Sequence, residues 1–248
     1  MRVAVDLTRE VVLYYSVRAT VGGACRALTP WSQRMLLMGR HSFIARQLRK
    51  PSGIYGKYVL SRYMNKADAD LNTQTLTSLD LQPDDRVLEV GFGGGDLISR
   101  MLPLIDKGSV TGVDYSSDMV ALCGKRFSPS IAAGQVELIC ANAEALPFEA
   151  DSFSKVCTVS TIYFWSQPAV ALDELSRVLR PNGRLVVGFV PRSTMSKFPE
   201  TEHGFTLYDS EEVAQLLREA GFREVNTITG TDRRGEFACV IGEKNAED

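Results

Sequence analysis

The chain has 248 residues, of which 44% are apolar and 23% charged, and its mean hydropathy is close to zero. This composition is typical of a globular protein with a substantial core, and it excludes collagen-like, repeat and largely disordered chains. No apolar run approaches the roughly 20 residues that a membrane span needs. The length predicts one large domain, or one domain with an added cap.

The net charge of −2 conceals a basic start. Residues 1–50 carry nine Lys and Arg side chains against Asp6 and Glu10, a local balance of +7, so the remainder carries about −9. Such a start is typical of an organelle transit peptide, a membrane-surface element or a basic cap on an acidic domain. We expect a cytoplasmic protein, with peripheral membrane contact through this region or an organelle location as alternatives. The acidic remainder argues against nucleic acid as a partner.

Five cysteines occur without a Cys-x-x-Cys pair, and the chain has only two histidines. Cys140, Cys157 and Cys239 fall in apolar, strand-like runs, which predicts small buried side chains in a reducing compartment. The pattern indicates neither a disulfide framework nor a zinc site, so we expect no metal.

The region before residue 80 is predicted to be helical. Thr29 followed by Pro30 is a typical helix start, with the hydroxyl as N-cap and proline at the first helical position. A helix from Pro30 to about Lys50 would direct apolar side chains toward the core, and Pro51-Ser52-Gly53 ends it. These apolar side chains are Trp31, Met35, Met38, Ile44 and Leu48. One or two further helices follow, which completes an N-terminal helical cap over residues 1–79.

From residue 80 onward, short β-branched runs alternate with helical patterns, as in βαβ units with a parallel sheet. The predicted strands are 86–90, 109–114, 136–141, 155–160, 184–190, 222–231 and 236–242, with helices at about 95–105, 117–127, 168–179 and 210–220. The last two strands are joined by a short turn, which predicts an antiparallel hairpin. The expected fold is α/β: a seven-stranded, mostly parallel Rossmann-like sheet with an antiparallel C-terminal hairpin and the helical cap.

The strongest motif is a strand that runs through Glu89 into a glycine-rich turn and a helix. Gly91, Gly93 and Gly95 let the backbone approach a ligand without a Cβ clash, and the helix start offers free N–H groups. A dinucleotide fingerprint would need glycine where the chain has Asp96. The spacing suits a ligand with a cationic amino-acid end instead, and a chance glycine turn is the alternative.

Two further polar positions follow the next strand ends. Asp114 closes the second strand, where an acidic side chain can accept both hydroxyls of a ribose, although with the following Tyr115 and serines it also resembles a helix cap. Asn142 and Ala143 follow the third strand, where a side-chain acceptor and a backbone N–H can pair with an adenine edge. Parallel strands end at one edge of a sheet, so these signals are expected to converge.

These residues carry a resemblance over about 47–244 to class I S-adenosylmethionine-dependent methyltransferases, in the group that includes the ubiquinone and menaquinone biosynthesis methyltransferases. The matching segments are 87–95, 113–114, 143–148, 161–165 and 175–183. The resemblance implies that residues 80–248 form the methyltransferase domain, that the cofactor is S-adenosyl-L-methionine and that the product is S-adenosyl-L-homocysteine.

The resemblance also implies roles for single residues. Glu89 and the glycine loop through Gly95 would hold the methionine moiety, Asp114 with Tyr115 the ribose, and Asn142 with Ala143 the adenine. We add Ser160 to the predicted cofactor site. Two departures are visible, because Asn142 stands where the family usually has Asp and Ser160 where close relatives often have Asn.

The acceptor site is expected beyond the fourth and fifth strands and in the cap. Tyr163 and His203 are the candidate catalytic residues, and the long segment 191–210 is predicted to face the substrate. Tyr55, Tyr58 and Tyr63 are candidates for a lid, with core packing as the alternative. The aromatic, basic cap favours a small, apolar or aromatic methyl acceptor. A non-catalytic scaffold of the same fold and a nucleotide-dependent oxidoreductase are the alternative functions.

Overall fold

A computed structural model of the chain describes the backbone of residues 30–246 and the side chains of residues 39–246. The chain divides after Arg40, and residues from His41 onward form the unit that carries the sheet. The predicted boundary between residues 79 and 80 stays a prediction. Cys25 and the side chains of Trp31, Met35 and Met38 lie outside the described residues.

The first helix begins at Pro30, as the sequence predicts, although the predicted cap residue Thr29 lies outside the described residues. Helix α1 spans Pro30–Arg49, a π-helical turn spans Tyr55–Leu60, and α2 (Ser61–Ala67) and α3 (Ala69–Leu79) follow. Ile44 is buried, as predicted, whereas Leu48 is only partly so. Helix α3 packs directly on the sheet, because Leu71 and Leu79 are fully buried and the Thr75 hydroxyl lies 3.5 Å from Cys239 Sγ.

Seven strands form one sheet, as predicted. They are β1 (Arg86–Val90), β2 (Ser109–Asp114), β3 (Val136–Cys140), β4 (Phe153–Val159), β5 (Leu179–Phe189), β6 (Arg223–Thr231) and β7 (Glu236–Glu243). The order is β3-β2-β1-β4-β5-β7-β6; the pairs among β1 to β5 are parallel, and β7 pairs antiparallel with both β5 and β6. The predicted fold class is therefore confirmed.

The remaining helices lie between the strands. They are α4 (Asp96–Met101), α5 (Ser117–Arg126), α6 (Ser128–Ala132), α7 (Pro168–Val178), α8 (Arg192–Met195) and α9 (Ser210–Glu219), with 3-10 turns at Leu102–Leu104, Ile162–Phe164 and Pro199–Glu202. Helix α9 begins with a capping box, in which Asp209 and Glu212 each accept from the other's backbone N–H.

Helices cover both faces of the sheet, so its central strands are apolar on both sides. Leu185, Val187 and Phe189 of β5 pack with α7 and α9, while Val186 packs with α3, α4 and α5. This explains why the sequence shows continuous apolar runs here instead of alternation.

Two sequence expectations are wrong in detail. Strand β5, predicted over 184–190, begins at Leu179 and includes an irregular stretch in which Asn182 has a φ of 58°. Cys140 is exposed, because β3 is the edge strand of the sheet; the buried thiols are Cys123, Cys157 and Cys239. Within the described part of the chain, no helix is long and apolar enough to span a membrane, and no His, Cys, Asp or Glu cluster suits a metal ion.

Candidate active site

The carboxyl ends of four parallel strands meet at one pocket of about 230 Å³. Residues from the ends of β1, β2, β3 and β4 form one side of it: Val90, Gly91, Gly93, Val113, Asp114, Tyr115, Ala141, Asn142, Ala143, Val159, Ser160 and Thr161. Seven of the nine predicted cofactor residues therefore line one cavity. Glu89 borders an adjoining small cavity with Gly91 and Gly93, and Gly95 lines neither.

The glycine turn has a backbone that other residues rarely adopt. Gly91, Gly93 and Gly95 have φ values of 81°, 50° and 72°. A Cβ on Gly91 would lie 2.1 Å from Thr161 Cγ2, whereas one on Gly93 would meet only Met64 Cε, at 3.5 Å. Gly91 is thus required by packing within the protein, and Gly93 leaves its backbone open to the pocket. Gly95 directly precedes α4 and faces Phe127, so its role is to shape the turn.

Asp114 is held in place by the glycine turn and by the start of α5. Its Oδ2 accepts a hydrogen bond from the Gly93 N–H and its Oδ1 accepts one from the Ser116 N–H, both at 2.8 Å. Burial raises the pKa of Asp114 to about 6, against the effect of these two backbone donors. The carboxylate lies at the pocket wall with one lone-pair direction per oxygen still available for a ligand.

Glu89 lies on β1, directly beneath the glycine turn. Its side chain is 3% exposed, and its Oε2 has no hydrogen-bond partner among the described residues. Burial, together with the charges of Asp114 and Asp96, raises its pKa to about 8. At neutral pH the carboxyl therefore keeps its proton, and a cationic group in the adjoining cavity would stabilise its ionised form.

The turn after β3 forms the next part of the wall. Asn142 Oδ1 accepts a hydrogen bond from the Glu144 N–H at 3.3 Å, and the side chain is otherwise exposed. The Glu144 carboxylate accepts from the N–H groups of Gln167 and Ser166 and from the Ser166 hydroxyl, which lowers its pKa. The turn after β3 is thereby fixed to the segment after β4.

The helical segment before the sheet closes the pocket from the other side. Leu48, Arg49, Pro51 and Met64 line the same cavity as Asp114. Part of the acceptor site is expected in the helical cap, and residues of that cap do line the pocket. No local pattern predicted these contacts, although the Pro51-Ser52-Gly53 break marks where the chain turns back over the sheet.

Several contacts hold this closing segment, residues 41–67, against α5. The Ser116 hydroxyl donates to the Pro51 carbonyl, the Gly53 N–H donates to Asp118 Oδ2 at 2.7 Å, and Lys57 Nζ lies 2.8 Å from Asp118 Oδ1. The Lys50 ammonium lies 4.2 Å from the centre of the Tyr115 ring. Tyr115 is 53% exposed and lines the pocket, so this contact lies at its mouth.

The two candidate catalytic residues do not line the pocket. The Tyr163 ring is buried, and its hydroxyl donates to the Val190 carbonyl at 3.1 Å and accepts from the Val190 N–H. Burial raises the pKa of this phenol, so its hydroxyl ties the end of β4 to the end of β5 and is a poor proton acceptor. His203 follows the 3-10 turn Pro199–Glu202 and is not among the lining residues. Their catalytic roles stay predictions that this geometry does not favour.

The segment after β4 contributes the remaining wall. Ser160 lies at a φ of 56°, a strained value for a residue with a side chain, and its position at a pocket is typical of functional sites. Phe164, Trp165 and Ser166 complete the lining. No residue of 191–210 lines the cavity; Phe205 instead packs edge-on against Phe164, with ring centres 4.6 Å apart. None of Tyr55, Tyr58 and Tyr63 lines it either.

Comparisons with known proteins agree with this geometry. The methyltransferase-domain family matches residues 88–187. An uncharacterized methyltransferase of Bacillus subtilis, YodH, is 33% identical over 62% of this chain and 67% of its own length. The ubiquinone/menaquinone biosynthesis C-methyltransferase UbiE of Geobacter sulfurreducens is 37% identical over 45% of each chain. A solved methyltransferase from Aquifex aeolicus superposes with a TM-score of 0.61 over 82% of this chain and 97% of its own, at 21% identity.

The chain therefore belongs to the S-adenosylmethionine-dependent methyltransferases, of class I. Within that class it resembles the group of UbiE. It is an enzyme, and its cofactor is S-adenosylmethionine, which supplies a methyl group carried on a positively charged sulfur. The described residues fit that cofactor, because the pocket and the small cavity beside it combine an unpartnered buried carboxyl oxygen, an open glycine turn and a second carboxyl group.

Proposed function

We propose that the protein transfers the methyl group to a small, apolar or aromatic acceptor, and that the strand ends hold the cofactor in the order of the chain. Glu89 receives the cationic amino end, because its Oε2 is buried and unpartnered among the described residues. Asp114 accepts the ribose hydroxyls, and Asn142 with the Ala143 backbone meets the adenine. Gly93 leaves its backbone open beside the part of the cofactor that links these groups.

The character of the opposite wall supports the acceptor class. Once the strand-end residues are assigned to the cofactor, the rest of the lining is mainly apolar and aromatic: Leu48, Pro51, Met64, Phe164 and Trp165. Arg49 is the basic side chain in this lining. A wall of this kind binds an apolar or aromatic ring by burial of its surface, with one cation available for an anionic substituent.

The titratable groups that line the cavity are few. They are Arg49, Asp114, Tyr115 and Glu144, and the two carboxylates already accept backbone N–H groups. No described lining residue is a histidine, lysine or cysteine. The protein therefore acts mainly by aligning and desolvating its reactants, and orientation of this kind supplies about 7 to 11 kcal/mol in favourable cases. The acceptor atom must be nucleophilic without a dedicated base.

A transfer experiment with isotopically labelled methyl donor tests the proposal. The panel contains hydroquinones, phenols and small heteroaromatic amines, with a peptide and a transfer RNA as polar macromolecular competitors. We expect transfer to one of the small aromatic compounds. Exclusive labelling of the peptide or the RNA would contradict the assignment.

Phe164→Ala separates the acceptor wall from the cofactor wall. We expect the variant to raise the acceptor KM by about tenfold, a size typical of lost apolar contact in a pocket. Its affinity for S-adenosylhomocysteine should not change. Ile131→Ala, at a half-exposed position outside the pocket, is the control. An unchanged KM in a folded Phe164→Ala protein would place the acceptor elsewhere.

A further inference from the structure

The closing segment, residues 41–67, differs sharply in charge from the rest of the chain. It contains six basic side chains and no acidic one: Arg46, Arg49, Lys50, Lys57, Arg62 and Lys66. Residues 68–248 carry 16 basic and 28 acidic side chains, a balance of −12. The acidic remainder is repelled by an anionic surface, so this segment is the part of residues 41–248 that such a surface attracts.

The segment is one packed unit, and most of its basic side chains are exposed. The Phe43 and Tyr55 ring centres lie 5.6 Å apart, and the Ser52 N–H donates to Gln47 Oε1 at 2.9 Å. These contacts hold the end of α1 against the helical residues 54–67 that follow it. Five of the six basic side chains are exposed; the sixth, Lys57, pairs with Asp118.

Two large apolar side chains are exposed in the second helical part of the segment, residues 54–67. Ile54 is 81% exposed and Tyr58 is 58% exposed, the two highest values among the exposed large apolar side chains of the described residues. Arg62 and Lys66 follow Ile54 and Tyr58 at the same four-residue interval, and they are exposed as well. Neither makes an ion pair with a described residue. An aliphatic and an aromatic side chain beside unpaired cations is the pattern of a surface that enters the headgroup region of a bilayer.

We infer that residues 41–67 form a docking surface for an anionic lipid bilayer. The basic side chains supply electrostatic attraction to anionic headgroups, and Ile54 with Tyr58 inserts among them. The same segment contributes Leu48, Arg49 and Met64 to the pocket wall, so docking brings the pocket to the lipid surface. If the acceptor is apolar, which rests on the proposed function, it would enter from the lipid phase.

Vesicle cosedimentation of the full-length protein tests this inference. The vesicles contain either phosphatidylcholine alone or equal parts of phosphatidylcholine and phosphatidylglycerol. We expect binding to the anionic vesicles only, with weakening as the salt concentration rises. Equal binding to both vesicle types, or to neither, would overturn the inference. Binding to RNA without binding to anionic vesicles would overturn it as well, in favour of a different partner.

Paired variants locate the surface. Arg62→Glu with Lys66→Glu should lower binding to the anionic vesicles by at least about tenfold. Lys107→Glu with Arg233→Glu, the same charge change at two exposed positions outside the segment, should lower it far less. Ile54→Asp should weaken binding by at least about threefold, whereas Leu104→Asp, at another exposed apolar residue, should not.

Affinity for S-adenosylhomocysteine is measured in every variant. It should stay at the wild-type value, because none of these positions lines the pocket. Equal losses of vesicle binding in the test and control variants would refute the assigned surface. The outcome is independent of methyl transfer, so a failed acceptor screen leaves this inference standing, and a failed vesicle experiment leaves the proposed function standing.

Discussion

Glu89→Gln is the most informative change in the cofactor site, because it removes a charge and keeps the shape. The carboxyl has an ordinary pKa of 4.5 and a pKa of about 8 in the folded protein, so the folded state holds its proton more tightly than the unfolded state. Stability from this group is therefore complete below pH 4.5 and is lost as the pH rises through 8.

The size of this loss follows from the two pKa values. Each pH unit between them changes the free energy of unfolding by about 1.4 kcal/mol, so the wild type should lose about 3 to 4 kcal/mol from pH 5 to pH 8 through this group. The Gln variant lacks this contribution. It should be more stable than the wild type at pH 8 and should show a flatter dependence on pH.

Urea denaturation followed by circular dichroism at pH 5, 6.5 and 8 measures the effect. Glu137→Gln, at an exposed carboxyl of β3, is the control and should follow the wild type. Titration calorimetry adds a second readout. At pH 7 the wild type should release a proton when the ammonium of S-adenosylhomocysteine binds beside Oε2, and the Gln variant should bind more weakly without proton release. Parallel pH curves for wild type and Glu89→Gln would refute the reasoning.

Three further changes test other parts of the pocket. Asp114→Ala should weaken S-adenosylhomocysteine binding by at least about tenfold in calorimetry, and wild-type binding should weaken from pH 7 to pH 5 as this carboxyl, with a pKa of about 6, takes up a proton. Gly93→Val should abolish binding while thermal unfolding stays cooperative, because the φ of 50° disfavours a branched side chain and the new side chain would occupy the pocket face assigned to the cofactor. Normal binding would show that the turn does not approach the cofactor. Asp118→Asn should speed S-adenosylhomocysteine dissociation by about two- to fivefold in stopped-flow measurements, because it weakens the contacts of Asp118 to Gly53 and Lys57. The control Asp106→Asn, at an exposed carboxyl, should leave the dissociation rate unchanged.

The sequence was most informative where local patterns decide structure. The glycine turn and Asp114 could be placed, because strands run into recognisable turns and parallel strands end at one edge. The capping box at Asp209 is equally local. The wall from Leu48 and Met64 could not be predicted, because it depends on how a distant helical segment folds back over the sheet.

Burial and side-chain partners were the other source of error. Cys140 belongs to an apolar run, yet its strand lies at an edge, and the strand order is not written in the run itself. Tyr163 follows a strand end, as a catalytic residue would, but its hydroxyl meets the backbone at Val190. Val190 directly follows β5, so the contact forms only when the end of β5 lies beside the end of β4.

The position of β7 bears on how the protein is made. This strand follows β6 in the chain but lies between β5 and β6 in the sheet, and the turn before it carries Arg234, which pairs with Asp68 at 2.7 Å. Asp68 borders the small cavity beside Glu89. During synthesis, the ribosome delivers β7 and Arg234 after every other strand of the sheet, so a nascent chain has an open sheet edge and an uncompensated acidic cavity until translation has passed residue 243. The cofactor should therefore assist folding only once β7 has joined the sheet and the cavity is complete.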